Sequence, residues 1–176
     1  YTLENDAGES TATVTIDVAG DAPVAEAISF DADVNETLTV EAPGILGNDN
    51  LGSPEAALTT ITTGETDWSP GDAIDFAGGT LTVEADGSLT LEAPADVGSF
   101  AFDYTLENDA GESTATVTID VTGDAPVAEA ISFDADVNET LTIEAPGVLQ
   151  NDNLGSPEAD LTTITIGETS WDPGDA

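Results

Sequence analysis

Along this chain, apolar residues recur at every second position. Leu38 and Val40 alternate with Thr, as do Leu81 with Val83 and Leu89 with Leu91. Phe100, Phe102, Tyr104 and Leu106 share one face of a longer run, and Ala115, Val117, Ile119 and Val121 do the same in the next. A period of two, filled in with Thr and Val, is the signature of a half-buried β-strand. Between two such runs, Glu84-Ala85-Asp86-Gly87-Ser88 reads as a tight hairpin turn with Gly87 at a positive-φ position. No segment carries a helical apolar stripe, so the expectation is an all-β fold.

The pattern also repeats. Tyr1–Ala73 reappears as Tyr104–Ala176, an offset of 103 residues. The copies differ at eight aligned pairs: Ala19/Thr122, Val40/Ile143, Ile45/Val148, Gly47/Gln150, Ala57/Asp160, Thr63/Ile166, Asp67/Ser170 and Ser69/Asp172. That period is too long for a solenoid unit and suits one whole sandwich domain. About seven strands in roughly 100 residues is the count expected of an immunoglobulin-like sandwich. Gly-Asp-Ala-Pro at Gly20–Pro23 and Gly123–Pro126 punctuates the junctions. Residues 1–20 are therefore expected to be the C-terminal strands of a preceding repeat, 21–123 a complete repeat, and 124–176 the N-terminal half of the next. The expected architecture is tandem immunoglobulin-like, cadherin-like β-sandwich domains arranged as an extended rod. On this reading the chain is a window on a longer array. The alternative is a subunit completed by strands of its neighbours.

Charge changes the picture most. The chain has 37 Asp and Glu, no Lys, no Arg and no His, for a formal charge of -37. No side-chain salt bridge can form, and self-repulsion opposes compaction unless external cations compensate it. Disorder is nonetheless not expected, because 39% of the residues are hydrophobic and regularly patterned. The absence of cationic side chains argues against nucleic-acid binding and against attraction to an anionic membrane. Without Cys or His, zinc, iron–sulfur, haem and thiol chemistry have no ligands, and no Ser/His/Asp, Cys/His or Schiff-base arrangement can exist. No run approaches the length of a membrane span, and no signal peptide opens the chain. The lack of cysteine and of any trypsin-type cleavage site suits a secreted, extracellular or cell-surface protein.

Two segments carry a resemblance. Leu38–Asn50, LTVEAPGILGNDN, resembles the "LTV-x-APGVL-x-ND" stretch of bacterial cadherin-like and VCBS-type repeats. Gly79–Val121 resembles the second half of the same family, with its ADGS hairpin, F-x-F-x-Y-T strand, D-x-G-x-S/T loop and final T-x-T-V-T-I strand. The resemblance covers essentially the whole repeat. It implies a large, calcium-dependent surface adhesin or biofilm-matrix protein. The acidic DPDGD loop usual after Asn-Asp in that family is replaced here by Asn50-Leu51-Gly52-Ser53-Pro54-Glu55.

Calcium takes six to eight oxygen ligands held in loops. Four acidic or amide clusters fall in expected loops or at the junction, and these are the candidate Ca2+ ligands. They are Asn48-Asp49-Asn50 (with Asp152 in the second copy), Asn5-Asp6 with Glu9 (Asn108, Asp109 and Glu112), the linker Asp21 (Asp124), and Asp31/Asp33 with Glu36 (Asp134, Asp136 and Glu139). Similarity to cadherin-like junctions implies one shared site around Asp124, with Asp109 and Glu112 from one side. Most of these carboxylates, taken singly, also read as ordinary solvated surface.

Other features carry less. Asn35-Glu36-Thr37 and Asn138-Glu139-Thr140 are glycosylation acceptor triplets. Trp68 and Trp171 could stack on a sugar with Asp72 nearby, or could cover a sandwich edge. Acid–base hydrolysis by Asp31/Asp33 lacks an accompanying cleft. The reading is a non-enzymatic structural repeat whose partners are neighbouring repeats of the same chain or identical chains in a fibre. The alternatives are a carbohydrate- or surface-binding module, and a halophilic surface-layer or filament subunit assembled by strand exchange. Surface glycans are possible partners of the former.

Overall fold

A computed structural model describes residues 1–174. Residues 21–122 close into an immunoglobulin-like sandwich. Numbering strands along the whole chain, its nine are β3 (Ile28–Asp33), β4 (Thr37–Val40), β5 (Ala57–Thr63), β6 (Thr66–Trp68), β7 (Ile74–Phe76), β8 (Gly79–Val83), β9 (Leu89–Glu92), β10 (Gly98–Asn108) and β11 (Gly111–Thr122). One sheet has the order β3-β11-β10-β5-β6 and the facing sheet β4-β9-β8-β7. Nine strands stand where about seven were expected, because short β6 and β7 and the acidic β3 add to the strongly alternating runs.

The alternation places the core. Tyr104 and Leu106 from β10, Val117 and Ile119 from β11, and Ile61 from β5 meet Leu81, Leu89 and Leu91 of the facing sheet, all fully buried. Burying a side chain of this size stabilises by about 1.5–3 kcal/mol relative to exposure. No polar or charged residue is among the buried ones described, so every carboxylate described keeps solvent access. This is what a chain with no cation to offer requires. Phe76 packs edge-on against Phe100 and Phe102, with centroids 6.3 and 5.8 Å apart.

Two corrections arise in β3 and at the β10–β11 turn. Asp31 and Asp33, expected in a loop, lie on β3, which pairs in parallel with β11 from Val117↔Ile28 to Thr122↔Asp33. The run Ile28-Ser29-Phe30-Asp31-Ala32-Asp33 alternates as any strand does: Ala32 is buried, Ile28 and Phe30 pack against the core, and both aspartates point out. Glu112, likewise expected in a loop, is the second residue of β11.

On either side of the closed repeat lie parts of its copies. Before it, β1 (Thr2–Asn5) and β2 (Gly8–Thr11) form a hairpin, Thr2↔Thr11 to Asn5↔Gly8. The equivalent tip of β10–β11 has the same register, Thr105↔Thr114 to Asn108↔Gly111. After it, β12 (Ile164–Ile166) and β13 (Thr169–Trp171) pair, two isolated bridges tie Asp124 to Ser156 and Val127 to Asn153, and most apolar positions described there stay exposed.

Candidate cation site at the repeat junction

The strand directions decide which acidic clusters can meet. β11 starts at the β10–β11 turn and runs for twelve residues, to Thr122. At about 3.3 Å per residue that strand is ~36 Å long. The turn, with Asp109, therefore sits at one pole of the sandwich, and the Gly123-Asp124 linker leaves from the other. The pairing of Asp124 with Asp109 and Glu112 expected from cadherin-like junctions is thus corrected: the full length of β11 separates them.

At the first pole the turn grips the incoming linker instead. Asn108 Nδ2 donates to the carbonyl oxygens of Asp21 (2.9 Å) and Pro54 (2.6 Å), while its Oδ1 accepts from the Ala110 and Gly111 amides. Asp21 pairs with Ser53 through two backbone hydrogen bonds of 2.8 and 2.9 Å. Gly20 passes so close to the Ser53 carbonyl that any Cβ there would strike it. Gly123 approaches the Ser156 carbonyl in the same way, which explains the glycine opening each Gly-Asp-Ala-Pro junction.

At the second pole the cluster is different. A cleft of about 540 Å³ is lined by Asp31, Asp33, Glu36 and Thr37 of the closed repeat and by Asp124 and Ser156 of the next. The parallel β3–β11 pairing brings Asp33 beside Thr122, whose hydroxyl donates to Asp33 Oδ1 at 3.2 Å. The turn that follows is tight: Glu36 N donates to the Asp33 carbonyl, and Asn35 takes a left-handed φ of 59°. Carboxylate and hydroxyl oxygens are the donor set calcium takes, and the cleft has room for an ion that keeps part of its water shell. Among the described residues no three acidic side chains converge into a ready-made metal cluster. Sequence reasoning missed Thr37 and Ser156; for Ser156 the repeated Gly-Ser-Pro, whose serine pairs with the linker, was the available signal.

The remaining candidates divide plainly. In Asn48-Asp49-Asn50 each side chain fastens its own loop. Asp49 accepts from the Tyr104 hydroxyl at 2.8 Å on both oxygens, and from the Glu26 amide at 2.8 Å. Asn48 Nδ2 donates to the Ala27 carbonyl, and Asn50 Oδ1 accepts from Gly52 N. Burial, followed by the Asp49 carboxylate, raises the Tyr104 pKa above its ordinary value, so the phenol stays a donor. Asp152, the counterpart of Asp49, accepts from the Glu129 amide at 2.7 Å. Asp6 lies in the turn of the first hairpin and Glu9 on β2. Asp134, Asp136 and Glu139 surround the counterpart of the Asp33–Glu36 turn, where Glu139 N donates to the Asp136 carbonyl.

Trp68, on edge strand β6, packs against the core and donates from Nε1 to Thr63 Oγ1 at 3.0 Å. Asp72 accepts from the Ser69 amide. Asn35 and Asn138, the glycosylation candidates, are exposed and both have positive φ. No helix among the described residues is long and apolar enough to cross a membrane.

No curated protein matches this sequence. Similar solved structures include the Ig-like domain of human leucine-rich repeat-containing protein 4, at 16% identity and TM-score 0.35 over 64% of this chain and 94% of that one. Domains 3–5 of the Drosophila OTK extracellular region match at 19% and 0.37, over 61% and 32%. Titin M4 matches at 17% and 0.35, over 61% and 100%. The family described as Bacterial Ig domain matches residues 20–122. That match spans more than half of the chain, and the protein belongs to the bacterial Ig domain family.

Proposed function

We propose that this chain is a structural, non-catalytic, calcium-binding part of a long extracellular adhesin or matrix fibre, serving as a rigid extender between cell surface and target. The observation that carries the reading is the junction cleft, where Asp31, Asp33 and Glu36 of one repeat face Asp124 of the next. A chain of formal charge -37 with no cationic side chain gathers like charges at the hinge of its own array. Calcium there would draw together the carboxylates that line this cleft, with Thr37 and Ser156 as neutral oxygens. It would replace repulsion between repeats with shared coordination, so a flexible string becomes a stiff rod.

The test is calcium titration against chelation, read by small-angle scattering and thermal melting, with sodium chloride as the screening control. Added calcium is expected to extend and narrow the particle, and to raise the melting temperature by the usual linkage to ligand concentration. The Asp33→Asn/Asp124→Asn chain is expected to lose most of that response. Unchanged dimensions and melting temperature across calcium and chelator would overturn the calcium reading. Full rescue by monovalent salt alone would replace it with simple screening in a saline environment.

A further inference from the structure

We infer that Asn35 is the acceptor of an N-linked glycan, carried on the rim of the repeat junction. The inference shares with the proposed function only the export of the chain, and stands whether or not the junction holds calcium. The closed repeat has four asparagines, Asn35, Asn48, Asn50 and Asn108. Only Asn35 is followed at the second position by a hydroxyl residue, Thr37. Asn, any residue but Pro, then Ser or Thr is the pattern that glycosyl transferases read on the surface of exported proteins.

The structure divides the four asparagines along the same line. Asn48 Nδ2 donates to the Ala27 carbonyl, Asn50 Oδ1 accepts from Gly52 N, and Asn108 holds both the linker and its own turn. Each of these three is committed to the geometry of a loop. The Asn35 side chain bonds to no described residue, and Asn35 is exposed.

Its backbone, by contrast, is fixed. Val34 N donates to the Thr122 carbonyl, Asn35 N to that of Pro94 and Glu36 N to that of Asp33, while Val34 itself is buried. A left-handed φ of 59° favours Asn or Gly at position 35. It does not call for a hydroxyl two residues on. Thr37 opens β4 at an exposed position, and its hydroxyl bonds to no described residue. The turn thus offers an amide and a hydroxyl to solvent from a rigid base.

Direction matters as much as exposure. From Asp31 to Leu38 every residue lines the junction cleft except Asn35. A glycan on Asn35 therefore grows from the rim and leaves the carboxylates that face Asp124 uncovered. The same turn recurs one repeat later at Asn138-Glu139-Thr140, where Asn138 is exposed with a φ of 62°. In a chain of formal charge -37, such a branch adds hydrated bulk beside the junction without adding charge.

The donor is a sugar activated at its anomeric carbon by a lipid-linked diphosphate. Asn35 Nδ2 forms a bond to that carbon, the bond from the carbon to the diphosphate oxygen breaks, and the diphosphate leaves with the electron pair. One Nδ2 proton passes to a base of the transferase. Nothing is oxidised or reduced.

The experiment recovers the chain from the outer surface of its native cells, cuts it with a Glu-specific protease and maps it by mass spectrometry. The peptide carrying Asn35 is expected to bear a glycan, and those carrying Asn48, Asn50 and Asn108 none. In the same cells Thr37→Val should abolish the glycan at Asn35 while Asn138 keeps its own, and Thr37→Ser should retain both. Asn35→Gly, which suits the left-handed φ, should also lose the glycan with the turn intact. An unmodified Asn35 in the surface chain overturns the inference and leaves the extender reading standing. A glycan at position 35 that survives Thr37→Val, or equal modification of the other three asparagines, also overturns it. A chain found only inside the cells overturns both.

Discussion

Asp21–Gly71 and Asp124–Gly174 share their sequence at all but seven positions, yet one lies inside a closed sandwich and the other stands open. What they keep in common is local. The linker pairs with its loop in both, Asp21↔Ser53 and Val24↔Asn50 against Asp124↔Ser156 and Val127↔Asn153. Short 3-10 turns form at Gly44–Leu46 and Gly147–Leu149, and Asp49 and Asp152 each accept from the amide two residues beyond a valine. What differs needs a partner. Ile28–Asp33 is a strand beside β11, whereas its counterpart, lacking that neighbour, pairs with nothing. Loop geometry here is written in Asp, Asn, Gly and Pro within a few residues, while strand identity is conferred across the sheet.

The sharpest way to break this comparison is the isoleucine that both regions share. Ile61 is 0% exposed and Ile164 is 41% exposed. Ile61→Ala is expected to cost about 2–5 kcal/mol, because it removes buried methylenes and leaves a cavity. Ile164→Ala, at an exposed position, should be nearly neutral. Urea melts followed by tryptophan fluorescence would read both, and equal costs would mean that the second region is closed in solution.

Next in size is Tyr104, the side chain that the open region lacks. Tyr104→Phe removes the donor from Asp49 and is expected to cost ~1–3 kcal/mol, whereas Tyr1→Phe should cost nothing measurable. The sign of the pH effect follows from the raised Tyr104 pKa. Its contribution is fully present below the ordinary value of 10.0 and is lost as pH rises through the raised one. The native chain should therefore lose stability above about pH 10, and Tyr104→Phe should flatten that limb.

How much was legible in the sequence follows from the same division. The runs around Leu38, Leu81, Leu89, Phe102 and Val117 announced their strands, because apolar residues in them alternate with Thr or other outward-facing residues. β3 was hidden by its aspartates: an acidic outer face resembles a loop until β11 is known to lie beside it. The expected pairing of Asp124 with Asp109 and Glu112 failed for a related reason. Similarity to cadherin-like junctions favoured Asp109 and Glu112, but a long strand carries its two ends to opposite poles. Only the parallel β3–β11 pairing, which no local pattern encodes, sets Asp33 and Glu36 beside Asp124. Asp49 has a loop-fastening role because of Tyr104, fifty-five residues away in sequence.

A smaller effect comes from that same pairing. Asp31 stands beside Asp120 across β3–β11, while Asp134 has no paired strand beside it. Asp120→Asn should therefore stabilise the closed repeat by up to about 1 kcal/mol in low salt. The gain should shrink in ~0.5 M NaCl, where exposed charges are screened. Asp134→Asn, lacking the neighbour, should change little in either condition.

The smallest effect isolates local encoding at a turn with no counterpart in the open region. Asp86 Oδ1 accepts from both the Ser88 hydroxyl (2.7 Å) and the Ser88 amide (3.0 Å), while Gly87 takes a φ of +83° to close the β8–β9 hairpin. The Ser88 hydroxyl, then the Ser88 amide, favours the ionised carboxylate and lowers its pKa. A lowered folded-state pKa means that the contribution is present above the unfolded value and lost as pH falls through the folded one. Because Asp86 is fully solvated, little global stability should ride on it. The readout is therefore the carboxyl chemical shift during an acid titration. Ser88→Ala is expected to move the Asp86 midpoint back toward the ordinary carboxylate range, with the melting temperature nearly unchanged. A midpoint indifferent to Ser88 would mean that the turn is held by its strands, as β3 is, and not by its own residues.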